Sequence, residues 1–419
     1  MNRWTRPEGD CRLAHARLLG QGLRDIWLTG DRIAFEGPPD APVVDLRGCI
    51  VMPGFVDCHT HLDKGHIWPR TPNPDGSFQG ALESVAADRE ARWSARDVAA
   101  RMEFGLRCAY AHGTVALRTH LDSIGPQTGI SWPVFAEARD RWAGRIALQA
   151  VCLVPIDMVG SDAFRETADV AARHGGVLGA VTFPVPDITS RLDLLLRMAA
   201  ERGMDVDLHV DETQDPDAAT LREVALAVLR TGFAGRVLCG HCCSLARQPD
   251  DAASATMDLV AAAALSVVSL PLCNLYLQDR HAARTPRSRG VTLVHELKAR
   301  GVPVAFASDN TRDPFYAYGD HDMLEVMREA VRVAHLDHPV SDWPAAFAAT
   351  PARIMGVKAG EIAQGAPADL VVFPAREWTE LLSRPHSDRL VIRGGRAIDA
   401  RPPDYAELDQ LFAPEPAQA

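Results

Sequence analysis

Short apolar runs alternate with long helical patterns through the middle of this chain. No other feature restricts its fold as much. The runs are residues 49–56, 114–120, 146–153, 177–182, 206–210, 236–241, 265–270 and 302–308. Between them lie stretches rich in Ala, Arg, Glu and Leu, among them 95–112, 161–174, 188–201, 217–231 and 257–264. Strands that alternate with helices build parallel sheets, because parallel neighbours need a long crossover. Eight runs over about 250 residues match the size of a (β/α)8 barrel of the TIM type. No short-period repeat and no low-complexity segment interrupts them.

The two ends of the chain read differently. Residues 14–19, 25–29, 32–36 and 43–46 are short strand candidates, with Gly30 and Asp31 as a hairpin turn. Residues 368–373 and 390–396 are strand-like too, the second stretch carrying a turn at Gly394 and Gly395. Both ends are expected to pair into one small β-sandwich domain. The resulting division is 1–52 and 356–405 for the small domain, 53–355 for the barrel, and 406–419 as a loose tail.

Composition narrows the classes of function. At 419 residues, 47% hydrophobic and 24% charged, the chain can bury a sizeable core. A net charge of −11 argues against a nucleic-acid partner, which would want a basic stripe. The one basic cluster, 280–289, reads as a solvated loop. No apolar stretch approaches membrane-spanning length, and 260–271 reads as a helix end plus a buried strand. The N-terminus lacks the apolar centre of a signal peptide. Nine irregularly spaced cysteines are not a disulfide framework, so the expected compartment is a reducing cytoplasm. Cys239, Cys242 and Cys243 lack the second pair of a zinc ribbon and read as small buried residues.

Barrel active sites lie at the C-terminal ends of the strands. The polar residues there are His59 and His61, His120, His209 followed by Asp211 and Glu212, His241, and Asp309. An isolated His-x-His can be two ordinary core histidines. On a strand, however, residues i and i+2 share a face, so His59 and His61 leave it side by side. Three histidines and one carboxylate suit one divalent ion, Zn or Fe, with a water made nucleophilic near neutral pH. Glu212, three residues after His209, can reach over such a site and carry protons.

The longer motifs are Pro53-Gly54-Phe55-Val56-Asp57-Cys58-His59-Thr60-His61-Leu62-Asp63, Leu117-Arg118-Thr119-His120-Leu121-Asp122, Leu208-His209-Val210-Asp211-Glu212 and Gly240-His241. Further on come residues 271–280 and 308–315. On these the chain resembles the amidohydrolase superfamily and, within it, bacterial cytosine deaminases. The resemblance implies that His59, His61, His209 and Asp309 bind one metal ion. Glu212 would shuttle protons, His241 would hold and polarise the reacting water, and Asp309 would take a proton from it.

Three positions depart from the cytosine deaminase pattern. Pro155 stands where those enzymes carry a glutamine that reads the pyrimidine edge. Asn310 replaces the second of two acids after the last strand, and Lys64 follows Asp63; both features are shared with relatives that cleave N-alkyl groups from triazines. Glu212 belongs with the deaminases. Lys64, Pro155, Gln278, Asn310 and Phe315 are the positions expected against the substrate. The expected activity is hydrolytic deamination of a small cytosine-like amino-heterocycle, releasing ammonia. The alternative is cleavage of an N-alkyl amine or cyclic amide on a triazine-like ring. A non-catalytic barrel would lack one of these ligands or acids, and none is missing. A homo-oligomer is left open.

Overall fold

A computed structural model describes Trp4 and residues 6–412. Strands β1 (Cys11–Leu18), β2 (Gly22–Thr29), β3 (Arg32–Ala34), β4 (Val43–Asp45) and β5 (Ile50–Pro53) come first. The middle holds β6 (Phe55–Thr60), β7 (Thr114–Asp122), β8 (Ala147–Leu153), β9 (Leu178–Thr182), β10 (Val206–Val210), β11 (Val237–His241), β12 (Ser266–Ser269) and β13 (Val304–Phe306). Strands β14 (Leu370–Phe373), β15 (Leu390–Arg393) and β16 (Arg396–Ala397) close the chain.

The two chain ends share one mixed sheet, in the order β16-β15-β14-β5-β1-β2-β3, with β4 beside β1. The join is antiparallel pairing of β14 with β5, Leu370 opposite Pro53 and Phe373 opposite Ile50. The Gly30–Asp31 turn links β2 to β3, with Thr29 opposite Arg32. Leu13, Ile26, Leu28, Leu370, Val372 and Ile392 form a core of their own there.

The eight middle strands are parallel, and seven of them lie where the apolar runs suggested; the first run, 49–56, is divided between β5 of the mixed sheet and the start of β6 at Phe55. They form two sheets, β6-β7-β8 and β9 through β13 in sequence order. Isolated parallel bridges link the sheets at both edges: Val151 with Val177, Pro155 with Val181, and Thr60 with Asp309. Nearly continuous burial along β6, β7, β10 and β11 is what a parallel sheet covered on both faces demands.

Helix Ala95–His112 shows how local signals set the elements. Ser94 caps its start, accepting from the Asp97 amide, and Gly113 ends it at φ +95°. A Cβ on Gly113 would lie 2.5 Å from Val371 Cγ2, so this glycine also lets the helix end meet β14. Helices Phe78–Arg92, Thr128–Trp142 and Met323–Ala334 were not among the sequence expectations. The first turns Asp88 inward, and the second contains Pro133, so the usual patterns are blurred.

The tail expectation needs correction. Residues 406–412 are helical and packed rather than loose. Leu408 is buried against Phe104 and Cys108, the Tyr405 ring stacks on Phe104 at 5.6 Å, and Arg107 pairs with Glu407. Burial of Leu408, the Tyr405 stack and the Arg107 ion pair together offset part of the entropy lost in ordering this segment. Residues 413–419 lie outside the described residues. Among the described residues no helix is long and apolar enough to cross a membrane.

Candidate metal and active site

His59 lies in β6, His61 just beyond it, His209 in β10, His241 at the end of β11, and Asp309 three residues past β13. Asp309 reaches inward because its amide donates to the His59 carbonyl, at 2.9 Å. Asp211, His241 and Asp309 have φ of +46°, +66° and +64°, the left-handed region that non-glycine residues seldom enter. Such strain gathers where a strand end must aim a side chain.

The four side chains converge. His59 Nε2 is 3.2 Å from His209 Nε2 and 3.6 Å from Asp309 Oδ1. His61 Nε2 is 3.3 Å from His209 Nε2 and 3.2 Å from Asp309 Oδ1. Donor atoms about 2.1 Å from one cation in a tetrahedral shell would lie roughly 3.4 Å apart, so the spacing suits a metal. Both Asp309 oxygens are buried without an N–H or O–H donor, which a cation would relieve. Burial holds His59, His61 and His209 well below the ordinary imidazole value, reinforced by His120 for His59 and His209 and by Lys64 for His61. The neutral ring is the ligating form. Burial pushes Asp309 up to about 7, a shift that a neighbouring cation would reverse.

His120 was noted in the sequence as a strand-end residue but not assigned as a ligand. It joins His59, His61 and His209 in one group able to hold a metal ion, and His59, His241 and Asp309 form a second such group. The His120 ring lies 4.0 Å from that of His59. Its Nε2 is 3.2 Å from Asp207 Oδ1, off-line for a hydrogen bond, while Arg118 pairs with the other Asp207 oxygen at 2.8 Å.

Glu212 follows β10 with its side chain 9% exposed. Its Oε1 lies 3.4 Å from His241 Nδ1 and accepts from Asn274 Nδ2 at 3.2 Å. Burial, then the nearby Asp309 charge, raises its pKa well above the usual carboxyl value, with Lys64 pulling the other way. Burial and the neighbouring His120 lower His241 to about 3.

These groups open on a cavity of about 370 Å3. Phe78, Leu82, Val85 and Ala86 of one helix form one wall; Leu153, Val154, Pro155, Val181 and Phe183 contribute further apolar lining. His61, His209, Glu212 and His241 supply polar atoms. A larger groove of about 690 Å3 shares Arg89 and Ile124 but contains none of the metal-capable residues.

The expected substrate positions divide. Pro155, Asn310, Phe315 and Lys64 line the cavity. Lys64 is buried, not solvated, with Nζ 2.8 Å from Asp122 Oδ1 and 5.4 Å from the Phe315 ring centre. Burial lowers the Lys64 pKa, but Asp122 and Asp63 outweigh it and the net shift is upward. Asn310 Nδ2 is already engaged by Asp313 Oδ2 at 2.7 Å. Gln278 does not line this cavity; its Nε2 donates to the Glu212 carbonyl at 3.2 Å. Gln278 stands just past the helix Pro271–Leu277 in extended backbone, and its position in a motif does not reveal that this turns its side chain toward Glu212. Asn274 lies in the 271–280 motif, but the motif assigns it no role, and its partners in space are what mark it.

The profile of the amidohydrolase family matches residues 42–128 and 157–399. This chain belongs to the amidohydrolase family. A pterin deaminase from Rhizobium rhizogenes is 59% identical over 412 residues, which cover 98% of this chain and 93% of that protein. An N-isopropylammelide isopropyl amidohydrolase from Pseudomonas sp. is 25% identical over 320 residues, 72% of this chain and 74% of that one. Among solved structures, 5-methylcytosine deaminase from Klebsiella pneumoniae with 5-fluorocytosine matches with a TM-score of 0.81 at 25% identity. That match covers 93% of this chain and 97% of the other. This amidohydrolase is a hydrolytic deaminase of a heterocycle, acting on a C–N bond, as its sequence motifs suggested.

Proposed function

We propose that the substrate is a flat amino-heterocycle of the pterin type, and that the reaction replaces a ring C–NH2 by a ring carbonyl. Water is consumed and ammonia released. The observation that carries this reading is Glu212, a nearly buried acid that borders an apolar-walled cavity beside the cluster of histidines and Asp309. The 59% identity to a pterin deaminase supports the choice of ring. The cavity is near the lower end of the roughly 300–1,000 Å3 typical of small-ligand pockets, enough for a fused bicyclic ring.

In this reading His59, His61, His209 and Asp309 hold one divalent ion, Zn or Fe. Separations of 3.2–3.6 Å from His59 and His61 to both His209 and Asp309 support this set, while His120 and His241 stand close enough to be alternative ligands. When bound, the ion supplies Lewis acidity and a water that is nucleophilic near neutral pH. Glu212 carries one proton of the attacking water to a ring nitrogen, and the second proton, taken up at Asp309, passes to the leaving amine as the ring carbonyl forms. Its raised pKa suits a group that must both give and take a proton. His241 orients the reacting water and Asp309 takes a proton from it. The apolar walls around Leu82 and Phe183 would flank the ring.

The same reading closes β6 through β13 into one (β/α)8 barrel, supported by the bridges at both sheet edges. It treats 53–355 as that barrel and 1–52 with 356–405 as a β-sandwich around the Leu13 and Val372 core. Nine buried cysteines without a disulfide favour a reducing cytoplasm.

Cleavage of an N-alkyl group remains the second reading, favoured by Lys64 and Asn310. It is weakened because Lys64 is ion-paired to Asp122 and Asn310 is bonded to Asp313. Pro155 has no donor for a cytosine edge. Ammonia and alkylamine should be measured together over pterin, cytosine and an N-alkyl triazine. Ammonia from pterin, with cytosine roughly 100-fold or more slower, is the expected outcome for a pocket lacking a buried hydrogen-bond reader. Alkylamine as the main product would overturn the reading.

A further inference from the structure

Helix Pro271–Leu277 begins directly after β12. Asn274, on that helix, is 1% exposed. Its Nδ2 lies 3.2 Å from Glu212 Oε1 and 3.1 Å from His241 Nδ1. An amide nitrogen carries two hydrogens and accepts nothing, so both contacts are donations. When Glu212 is ionised, the state in which it can take a proton from the water, the opposite amide orientation would set the Asn274 oxygen against a carboxylate, acceptor against acceptor. His241 Nδ1 therefore accepts, and its proton resides on Nε2. That Nε2 is buried without a protein partner. The His241 ring stands 5.4 Å from that of His59 and 5.0 Å from that of His209, so it borders the proposed metal cluster.

Four residues beyond Asn274, one helical turn on, Gln278 Nε2 donates to the Glu212 carbonyl at 3.2 Å. Gly290, at φ +68°, closes over Gln278: a Cβ there would lie 2.5 Å from Gln278 Cγ. The brace thus grips Glu212 at its carboxylate and at its backbone.

We propose that Asn274 and Gln278 are positioning residues for this reaction: Asn274 sets the Nε2–H tautomer of His241 and holds the Glu212 carboxyl group, while Gln278 fixes the Glu212 backbone. The assignment rests on the reading of Glu212 as proton carrier and His241 as donor to the reacting water. The rival arrangement has His241 Nδ1–H donating to Glu212 directly. That contact, at 3.4 Å, is longer than either contact from Asn274. An Nε2–H aimed at the reacting water fits a group whose task is to donate there; the other tautomer would offer a lone pair instead.

Asn274→Asp tests this, because the new side chain has the same shape and accepts where the amide donates. His241 Nδ1 must then carry the proton. On the best amino-heterocycle from the ammonia screen, kcat should fall roughly 10- to 100-fold, the usual cost of losing an orienting partner, with KM and metal content little changed. The 15N signals of His241, assigned by their loss in His241→Asn, should report the reversed tautomer. Asn274→Leu should lose rate likewise and keep its metal. Near-normal kcat in Asn274→Asp, an unchanged 15N pattern, or loss of fold or metal in both variants would overturn the proposal. Glu212→Gln is the control. If it is inactive while Asn274→Asp is fully active, only the positioning assignment fails. If Glu212→Gln itself stays active, the proton-carrier reading fails with it.

Discussion

At Glu212 the protein removes a carboxyl group from most of its water and keeps it beside Asp309, and both effects favour the protonated acid. A surface glutamate would be ionised at neutral pH and a poor proton donor to a ring nitrogen. Glu212→Gln is nearly isosteric and cannot exchange a proton. It should retain metal and lose roughly 10²–10⁴ in kcat; near-normal ammonia release would remove Glu212 from the mechanism. His241→Asn should also retain metal and lose about 10²–10³ in rate, the cost of one positioned donor. Because His241 belongs to a group with His59 and Asp309 that could itself hold an ion, metal analysis of that variant is decisive. Full loss of metal would make His241 a ligand. The histidines and acids were legible in the sequence because each ends an apolar run, where a buried polar side chain needs a purpose. Asn274 was not, since its two partners lie 62 and 33 residues away.

Each strand end works with what surrounds it. Arg101, fully buried, donates to the carbonyls of Asp63 and Gly65 and pairs with Asp97 at 2.6 Å, so helix Ala95–His112 pins the loop that follows His61. Arg70 ties the same region down through Asp88 and Asp97. Gly240, next to His241 in β11, has a quieter task. A Cβ there would stand 3.0 Å from His59 Cε1 and 3.2 Å from its Nδ1. Gly240→Ala should therefore push the His59 ring off its position and weaken metal affinity roughly tenfold, the lower end of what disturbed orientation costs. Unchanged affinity, measured by competition with a chelator, would mean that the ring has room to yield. Strand positions were readable from apolar runs ending in polar residues. Helix Phe78–Arg92 was not, because its apolar face partly lines the cavity and Asp88 faces inward. Gln278 was read as facing the substrate, whereas from its place just past the helix Pro271–Leu277 it reaches the backbone of Glu212.

Across the whole molecule, the proposed ligands join distant parts of the chain: His59 and His61 near one end of the parallel array, His209 in β10, Asp309 after β13. An ion bound there would hold β6, β10 and the end of β13 together. Binding to the folded state alone contributes about 4 kcal/mol at a thousandfold excess over Kd. Chelation should thus lower the thermal midpoint, and added Zn or Fe should restore it; an unmoved midpoint would argue that the cluster holds no ion. The sequence conveyed the parallel strands and the pairing of the two chain ends. It did not convey which strand of one end pairs with which of the other, since β5–β14 pairing depends on contacts more than 300 residues apart. It also missed the packing of residues 406–412, whose only apolar anchors are Leu408, Leu411 and Phe412. The most direct measurement is ammonia release from pterin by metal-depleted protein titrated with Zn or Fe. Turnover should be negligible without metal and should reach its plateau at about one ion per chain, the complement expected of a single site built from three histidines and one aspartate. Full turnover by the metal-free protein, or a plateau only at about two ions per chain, would contradict a single-metal deaminase.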